Sequence, residues 1–155
     1  MKKYQIDSLD KEIIKLLADN ARTPYLEIAR KCKVSGALVH QRIQRMEEEN
    51  IIKGSQLVLN PKGLEKLTCA FIGIQVNLIS TRTHEEVFQK IKEIDEIIEC
   101  HHISGKYSLL AKIYTRDNEH LKDIIIEKIQ TIREITSTET FISLQEGFIR
   151  QISIG

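Results

Sequence analysis

The spacing of the apolar residues changes once along this chain, and that change limits the folds open to it. Up to Asn50 they recur at helical intervals: Leu9, Ile13, Leu16 and Leu17, then Leu26, Ile28 and Ala29, then Val39, Ile43 and Met46. Each set makes one inward stripe on a short helix. Further on, "CAFIGIQVNL" alternates Ile72, Ile74, Val76 and Leu78 against Phe71, Gly73, Gln75 and Asn77, the pattern of a half-buried strand. A helical unit followed by a mixed one predicts an α+β chain.

Caps mark the helix boundaries. Ser8 is the expected N-cap of the first helix, with Lys11 where a capping box would place Glu or Gln, and the helix ends near Asn20. Thr23-Pro24 opens the second with a cap-like residue and a proline in the first turn. "CKVS" is a short turn, with Ser35 as N-cap of the third helix. Two short helices joined by such a turn form a helix-turn-helix, whose second helix enters the major groove by its N-terminal end.

That geometry accounts for the make-up of "VSGALVHQRIQRM". Opposite the Val39, Ile43 and Met46 stripe, the helix starts with Gly36 and Ala37 and continues with His40, Gln41, Arg42, Gln44 and Arg45. Small residues at the start let backbone N–H groups approach a phosphate. Amide and guanidinium groups further on can reach base edges, where a bidentate contact discriminates bases by about 1–3 kcal/mol. The expected DNA-contacting set is Ser35, Gly36, Ala37, His40, Gln41, Arg42 and Arg45. A plain solvated helix face would also carry Arg and Gln, so the following segment decides. "EEENIIKGSQLVLNP" ends the helix at Asn50, which tolerates a left-handed C-cap, and then reads as a strand from Ile51 to Leu59 with a turn at Gly54, stopped by Asn60-Pro61. A strand directly after the third helix is the wing of a winged helix-turn-helix.

In the second unit, Thr83 with Glu86 forms a capping box for a helix that buries Val87, Phe88, Ile91 and Ile94. "IIECHHIS" and "YSLLAKIYT" are strands around a hairpin turn at Gly105-Lys106. "DNEHLKDIIIEKIQTI" is a helix with Leu121, Ile125, Ile129 and Ile132 inward, and "TSTETFISLQ" is a last strand. The order β-α-β-β-α-β is the ferredoxin-like arrangement. Its two helices cover one sheet face. Leu110, Tyr114, Phe141 and Phe71 are candidates for a face that needs further cover, which a second copy of the chain would supply.

Charge separates the two units. Residues 1–64 carry 12 Lys/Arg against 8 Asp/Glu, and residues 65–155 carry 11 against 14. A mildly basic first part suits a polyanion partner for that part alone. Nothing approaches the run of about 18 apolar residues that spans a bilayer, and "MKKYQIDSLD" has no apolar core behind its basic start, so no secretory signal is expected. Cys32, Cys69 and Cys100 are odd in number and far apart, which reads as reduced thiols of a cytoplasmic protein. His101 and His102 fall on opposite faces of a strand and cannot readily share a metal, while His84 and His120 read as surface residues at helix starts. No metal site and no cofactor are expected.

The chain resembles the leucine-responsive/asparagine-regulator (Lrp/AsnC) family of transcription regulators. The likeness is carried by "IDSLDKEIIKLLADNARTPYLEIARKCKVSGALVHQRIQRMEEENIIKG", "LNPKGL", "ISGKYSLLAKI" and "KIQTIREITSTETFISLQ", the last closest to the asparagine-responsive branch. Asn50 stands where the family usually has Gly, Glu65 falls near another family Gly, and Ser108 stands where many members have Asp after the turn Tyr. The resemblance implies a winged helix-turn-helix over residues 1–52, a wing strand and connector over 53–67, and a ferredoxin-like (RAM) unit over 68–155 that binds an effector and assembles the oligomer. It further implies a homodimer joined through the sheets, a ring of four dimers, and an amino-acid effector held between dimers. Ser104, Gly105, Lys106, Tyr107 and Ser108, with Thr138, Glu139 and Gln145, are the implied effector residues. Ser108 in place of Asp favours a polar effector over a leucine-like one.

The leading expectation is a sequence-specific, effector-responsive regulator of transcription acting on double-stranded DNA. The alternative is a ligand-independent protein that compacts DNA, with strong salt dependence and little sequence preference. An enzyme is not expected: no nucleophile–base pair, metal cluster or Gly-rich phosphate loop stands out.

Overall fold

The computed structural model describes residues 4–77 and 82–154, with residues 82–84 described in their backbone alone. It separates into two compact units, Met1–Val58 with Phe148–Gly155, and Leu59–Gly147. The tail from Phe148, expected with the second unit, groups with the first; it continues no strand of the sheet.

Three helices build the first unit: α1 (Ser8–Asp19), α2 (Tyr25–Cys32) and α3 (Gly36–Glu48). Ile13, Ile28, Ala29, Val39, Ile43 and Met46 form its buried core, with Leu9, Leu16, Leu17, Ile51 and Ile52 packed around them. The expected cap of α1 is displaced by one residue. Asp7 is the N-cap and forms a reciprocal box with Asp10: each carboxylate accepts the other residue's backbone N–H, at 2.9 and 3.1 Å. A carboxylate caps a helix start as well as a hydroxyl and adds a favourable charge there. Thr23 does not cap α2 either. Its hydroxyl turns back to donate to the Asn20 carbonyl at 2.7 Å, and Pro24 occupies the N-cap position. Leu26, expected inside, is 68% exposed because residues two apart on a helix do not share a face with Ile28.

α3 closes as the sequence indicates. Asn50 is left-handed at φ 55°, and the Ile51 and Ile52 N–H groups both donate to the Met46 carbonyl. The wing strand expected over Ile51–Leu59 is absent from the sheet that forms. Residues 53–60 make no ladder and are exposed, Val58 completely. An extended segment becomes a strand only with a partner, and among the described residues this one has none. The second departure from the family pattern, Glu65, is also left-handed, at φ 56°, after a turn of 3-10 helix at Pro61–Leu64.

The second unit runs β1 (Thr68–Val76), α4 (Arg82–Lys92), β2 (Ile97–His102), β3 (Leu109–Thr115), α5 (Asn118–Ile124) and β4 (Ile135–Ile142). Its sheet has the order β2-β3-β1-β4, every neighbouring pair antiparallel. Ile72, Ile74 and Val76 alternate inward as predicted and meet Val87, Ile91, Leu109, Ile113 and Leu121. Leu78 and the side chain of Thr83 lie outside the described residues, and α4 begins one residue before the expected cap. α5 continues into one π turn, Ile125–Ile129, with the Gln130 N–H donating to the Ile125 carbonyl at 2.8 Å. The extra residue in that turn shifts the stripe. Ile124 is buried instead of the expected Ile125, which is half-buried, while Ile129 and Ile132 are inside.

Candidate nucleic-acid interface and effector face

α3 starts at Ser35, whose hydroxyl accepts the Leu38 N–H at 3.2 Å. The turn before it is sharp because Lys33 is left-handed, φ 56°, with the Val34 N–H donating to the Ala29 carbonyl. Sequence reasoning missed Lys33, since a non-glycine in that conformation leaves no compositional signal. Gly36 has a cause within the fold: a Cβ there would meet Leu26 Cδ2 at 3.1 Å, so its smallness lets α3 start hard against α2. Ser35, Ala37, His40, Gln41, Gln44 and Arg45 are exposed on the side opposite Val39, Ile43 and Met46. The His40 ring leans on Tyr25 with centroids 5.8 Å apart.

Arg42 departs from that set. Its Nη1 donates to Asp7 Oδ2 at 2.6 Å and to Asp10 Oδ1 at 3.2 Å. Asp10 is fully buried and also accepts the Tyr4 hydroxyl at 2.8 Å. The Asp10 N–H, and after it the Arg42 guanidinium, hold the Asp7 carboxyl below its ordinary range. Burial, reinforced by the Asp10 carboxylate, pushes the Tyr4 phenol up. Arg45 remains outward, its guanidinium carbon 4.8 Å from the centre of the Tyr4 ring. Tyr4, Asp7 and Asp10 were not singled out from sequence. The spacing of Asp7 and Asp10, three apart at a helix start, is the signal that could have found them.

The sheet of the second unit leaves one face without helices, and Phe71, Leu110, Tyr114 and Phe141 all lie on it. Register shows why: Phe71 pairs with Phe141 and Lys112, Gly73 with Leu110 and Glu139, and Cys69 with Tyr114. Tyr107 lies flat over Gly73, where a Cβ would meet its ring carbons at 2.7 Å, and stands edge-on to Phe141. Lys106 Nζ sits 4.9 Å from the Tyr107 ring centre and pairs with Glu139 at 2.5 Å. The Gln75 amide donates to the Lys106 carbonyl at 2.7 Å, binding the turn to β1. Gly105 holds φ 128°, as a turn glycine does.

The implied effector residues therefore separate. Ser104, Gly105, Lys106 and Tyr107 share the β2–β3 turn, and Lys106 and Tyr107 meet Glu139 and Phe141 of β4. Ser108 is spent on the fold: its hydroxyl accepts the Val76 N–H and its N–H donates to the Ile74 carbonyl. Thr138 pairs with Ile74 and so faces the helices, where its hydroxyl accepts from Gln130 at 3.0 Å. Gln145 lies beyond β4, exposed. His101 contacts Glu99, two residues away on its own side of the strand. His84 has no described side chain; His120 is half-buried, 3.6 Å from Glu96, rather than a free surface residue. The three cysteines are free and half-buried, and burial pushes the Cys100 thiol up to about 11. Among the described residues no cluster of His, Cys, Asp or Glu could hold a metal ion, and no helix is long and apolar enough to cross a membrane.

A helix-turn-helix with an exposed polar face, joined in one chain to a ferredoxin-like unit, defines a DNA-binding regulator of transcription. Residues 6–53 match a model described as winged helix-turn-helix DNA-binding, and residues 69–151 match the Lrp/AsnC ligand binding domain. The chain belongs to the Lrp/AsnC family. It is 38% identical to the regulatory protein AsnC of Haemophilus influenzae over 149 residues, 96% of this chain and 98% of that protein. The structure of Escherichia coli AsnC, also 38% identical, superposes with a TM-score of 0.87 over 96% of this chain and 99% of that one. At 16% identity, a Neisseria meningitidis regulator in complex with L-Met shares the fold, with a TM-score of 0.88 over 94% of each chain. The relatives are named as regulators, not as enzymes.

Proposed function

We propose that this chain is a cytoplasmic, sequence-specific regulator whose grip on DNA is adjusted by an amino acid. Residues 1–52 read DNA, 53–67 link, and the unit from residue 68 binds the effector and assembles the oligomer. The exposed N-terminal half of α3 enters the major groove, with Ser35, Gly36 and Ala37 at the phosphate wall, His40 and Gln41 toward the bases and Arg45 on a flanking phosphate. A homodimer presents two such helices to half-sites about one duplex turn, ~34 Å, apart. The helix-free sheet face supplies the contact between copies, since Phe71 and Phe141 are otherwise left partly in water. Dimers then join into a ring of four, with the effector between them.

The Lys106–Glu139 pair beside Tyr107 carries the ligand reading. An amino acid is a zwitterion. It can enter between the two side chains, its carboxylate on Lys106 and the Gly105 turn, its ammonium on Glu139, without leaving a charge unmatched. The bound L-Met of the Neisseria regulator supports the same ligand class in this fold. Ligand binding shifts the population of assemblies and with it the spacing of the reading heads.

A thermal-shift screen against the standard amino acids, paired with light scattering, tests this. One or a few amino acids raise the midpoint in proportion to the logarithm of their concentration above the dissociation constant and change the assembly mass. If none does so at millimolar concentration, the ligand-independent DNA-compacting reading replaces this one.

A further inference from the structure

Arg42 stands on the recognition helix among residues expected to face DNA, yet its guanidinium turns back on its own chain. It lies within 2.6 Å of Asp7 and 3.2 Å of Asp10, and the Asp10 side chain has no exposed surface. Tyr4 joins both arginines to this cluster. Its hydroxyl donates to Asp10 and accepts from Arg42 at 3.4 Å, while its ring carries the Arg45 guanidinium on its face. Removing the cation from a fully buried carboxylate costs far more than breaking an exposed pair. Arg42 therefore cannot be lent to a phosphate without stranding Asp10.

We propose that Arg42 is a positioning residue, not a DNA contact: with Asp10 and Tyr4 it fixes α3 against the start of α1 and holds Arg45 as the cation that meets the duplex. This rests on α3 being the DNA-facing helix. The cluster ties residues 4, 7 and 10 at one end of the unit to residues 42 and 45 on the helix that reads. Stacking on Tyr4 restricts Arg45 before binding, so less side-chain freedom is lost when it contacts DNA.

The test measures affinity against salt concentration on one duplex, selected from a random pool by the unaltered chain. Arg45→Gln weakens binding and flattens the log–log salt slope by about 1.8, one phosphate contact of about 0.9 lost from each chain of the dimer. Arg42→Gln weakens binding about tenfold through the stranded Asp10 but keeps the slope. Asp10→Asn with Arg42→Gln, an amide pair with no buried charge, recovers most of that loss. Tyr4→Ala weakens the unaltered chain several-fold and has little further effect on Arg45→Gln. Each variant's cooperative melt is recorded; if Arg42→Gln does not fold, Arg42→Lys, which keeps a cation for Asp10, must bind with the slope retained. A slope lowered by about 1.8 in Arg42→Gln, unrecovered in the double variant, overturns the proposal. If instead Arg45→Gln and His40→Ala with Gln41→Ala all leave affinity and slope unchanged, the assignment of α3 to DNA is what fails.

Discussion

In the first unit Ile13, Ile28, Val39 and Met46 come from three helices and close fully on one another, whereas the second unit's sheet closes one face and leaves the other bare. The helical core of the first is closed within one chain. Its third helix turns polar groups outward, His40, Gln41 and Arg45, and the unit's exposed apolar side chains, among them Leu26, Leu57 and Val58, lie outside that helix. The second retains unspent apolar area at Phe71 and Phe141, beside a charged pair at Lys106 and Glu139. A finished unit suits a reading head that must keep its shape on DNA. An unfinished one suits the part proposed to assemble and to answer a ligand, because its free energy then depends on what covers it.

Core and bare-face truncations should separate these two conditions most strongly. Ile28→Ala removes a fully buried side chain and should cost about 2–5 kcal/mol at every protein concentration, read by denaturant unfolding. Phe71→Ala, at a residue 36% exposed, should cost little in dilute solution and show its loss only as concentration rises and copies associate. Equal, concentration-independent losses at both positions would mean that the bare face is as complete as the helical core.

A smaller effect is expected where the bare face is already partly covered from within. Gly73→Ala places a Cβ 2.7 Å from the Tyr107 ring carbons, so the ring must turn away or the turn must shift. Overpacking of this kind costs about 1–3 kcal/mol. It should also loosen Lys106 and Glu139, which flank the ring, and weaken any amino-acid response more than it lowers the melting midpoint. An unchanged response with an unchanged midpoint would show that Tyr107 is not fixed over Gly73.

Most of this architecture was legible in the sequence because period and parity are local. Val39, Ile43 and Met46 gave the buried side of α3, and alternation along β1 put Phe71 and Gly73 opposite Ile72 and Ile74. What was not legible depends on partners distant in sequence or on backbone detail. The contacts of Arg42 with Asp7 and Asp10, more than thirty positions away, leave no signal in the sequence around Arg42. The π turn moved the buried isoleucine from Ile125 to Ile124, and no periodicity announces an inserted residue. Alternation puts Thr138 and Glu139 on opposite sheet faces, but which of the two faces the helices is assigned by register alone, Thr138 opposite Ile74 and Glu139 opposite Gly73. The wing strand did not form for a different reason: residues 51–59 have the composition of a strand but no partner among the described residues.

The weakest of the expected effects concerns acid, and it tests how the reading head is held. Asp7 is kept below its ordinary range first by the Asp10 N–H and then by Arg42. A carboxyl whose folded value is depressed stabilises the fold fully above its unfolded value, near pH 4, and loses that contribution as pH falls through the folded value. The contribution is therefore intact through the neutral range and disappears only in strong acid. Because the backbone N–H comes first, Arg42→Gln should raise the Asp7 midpoint only part of the way back. Carbon-detected NMR titration of Asp7 in the unaltered chain and in the variant measures this. A midpoint in the unaltered chain at or above the usual carboxylate range would mean that neither the cap nor Arg42 holds Asp7. A full return in the variant would mean that Arg42, not the helix start, does the holding, and would make the tie between α1 and α3 wholly ionic and correspondingly sensitive to salt.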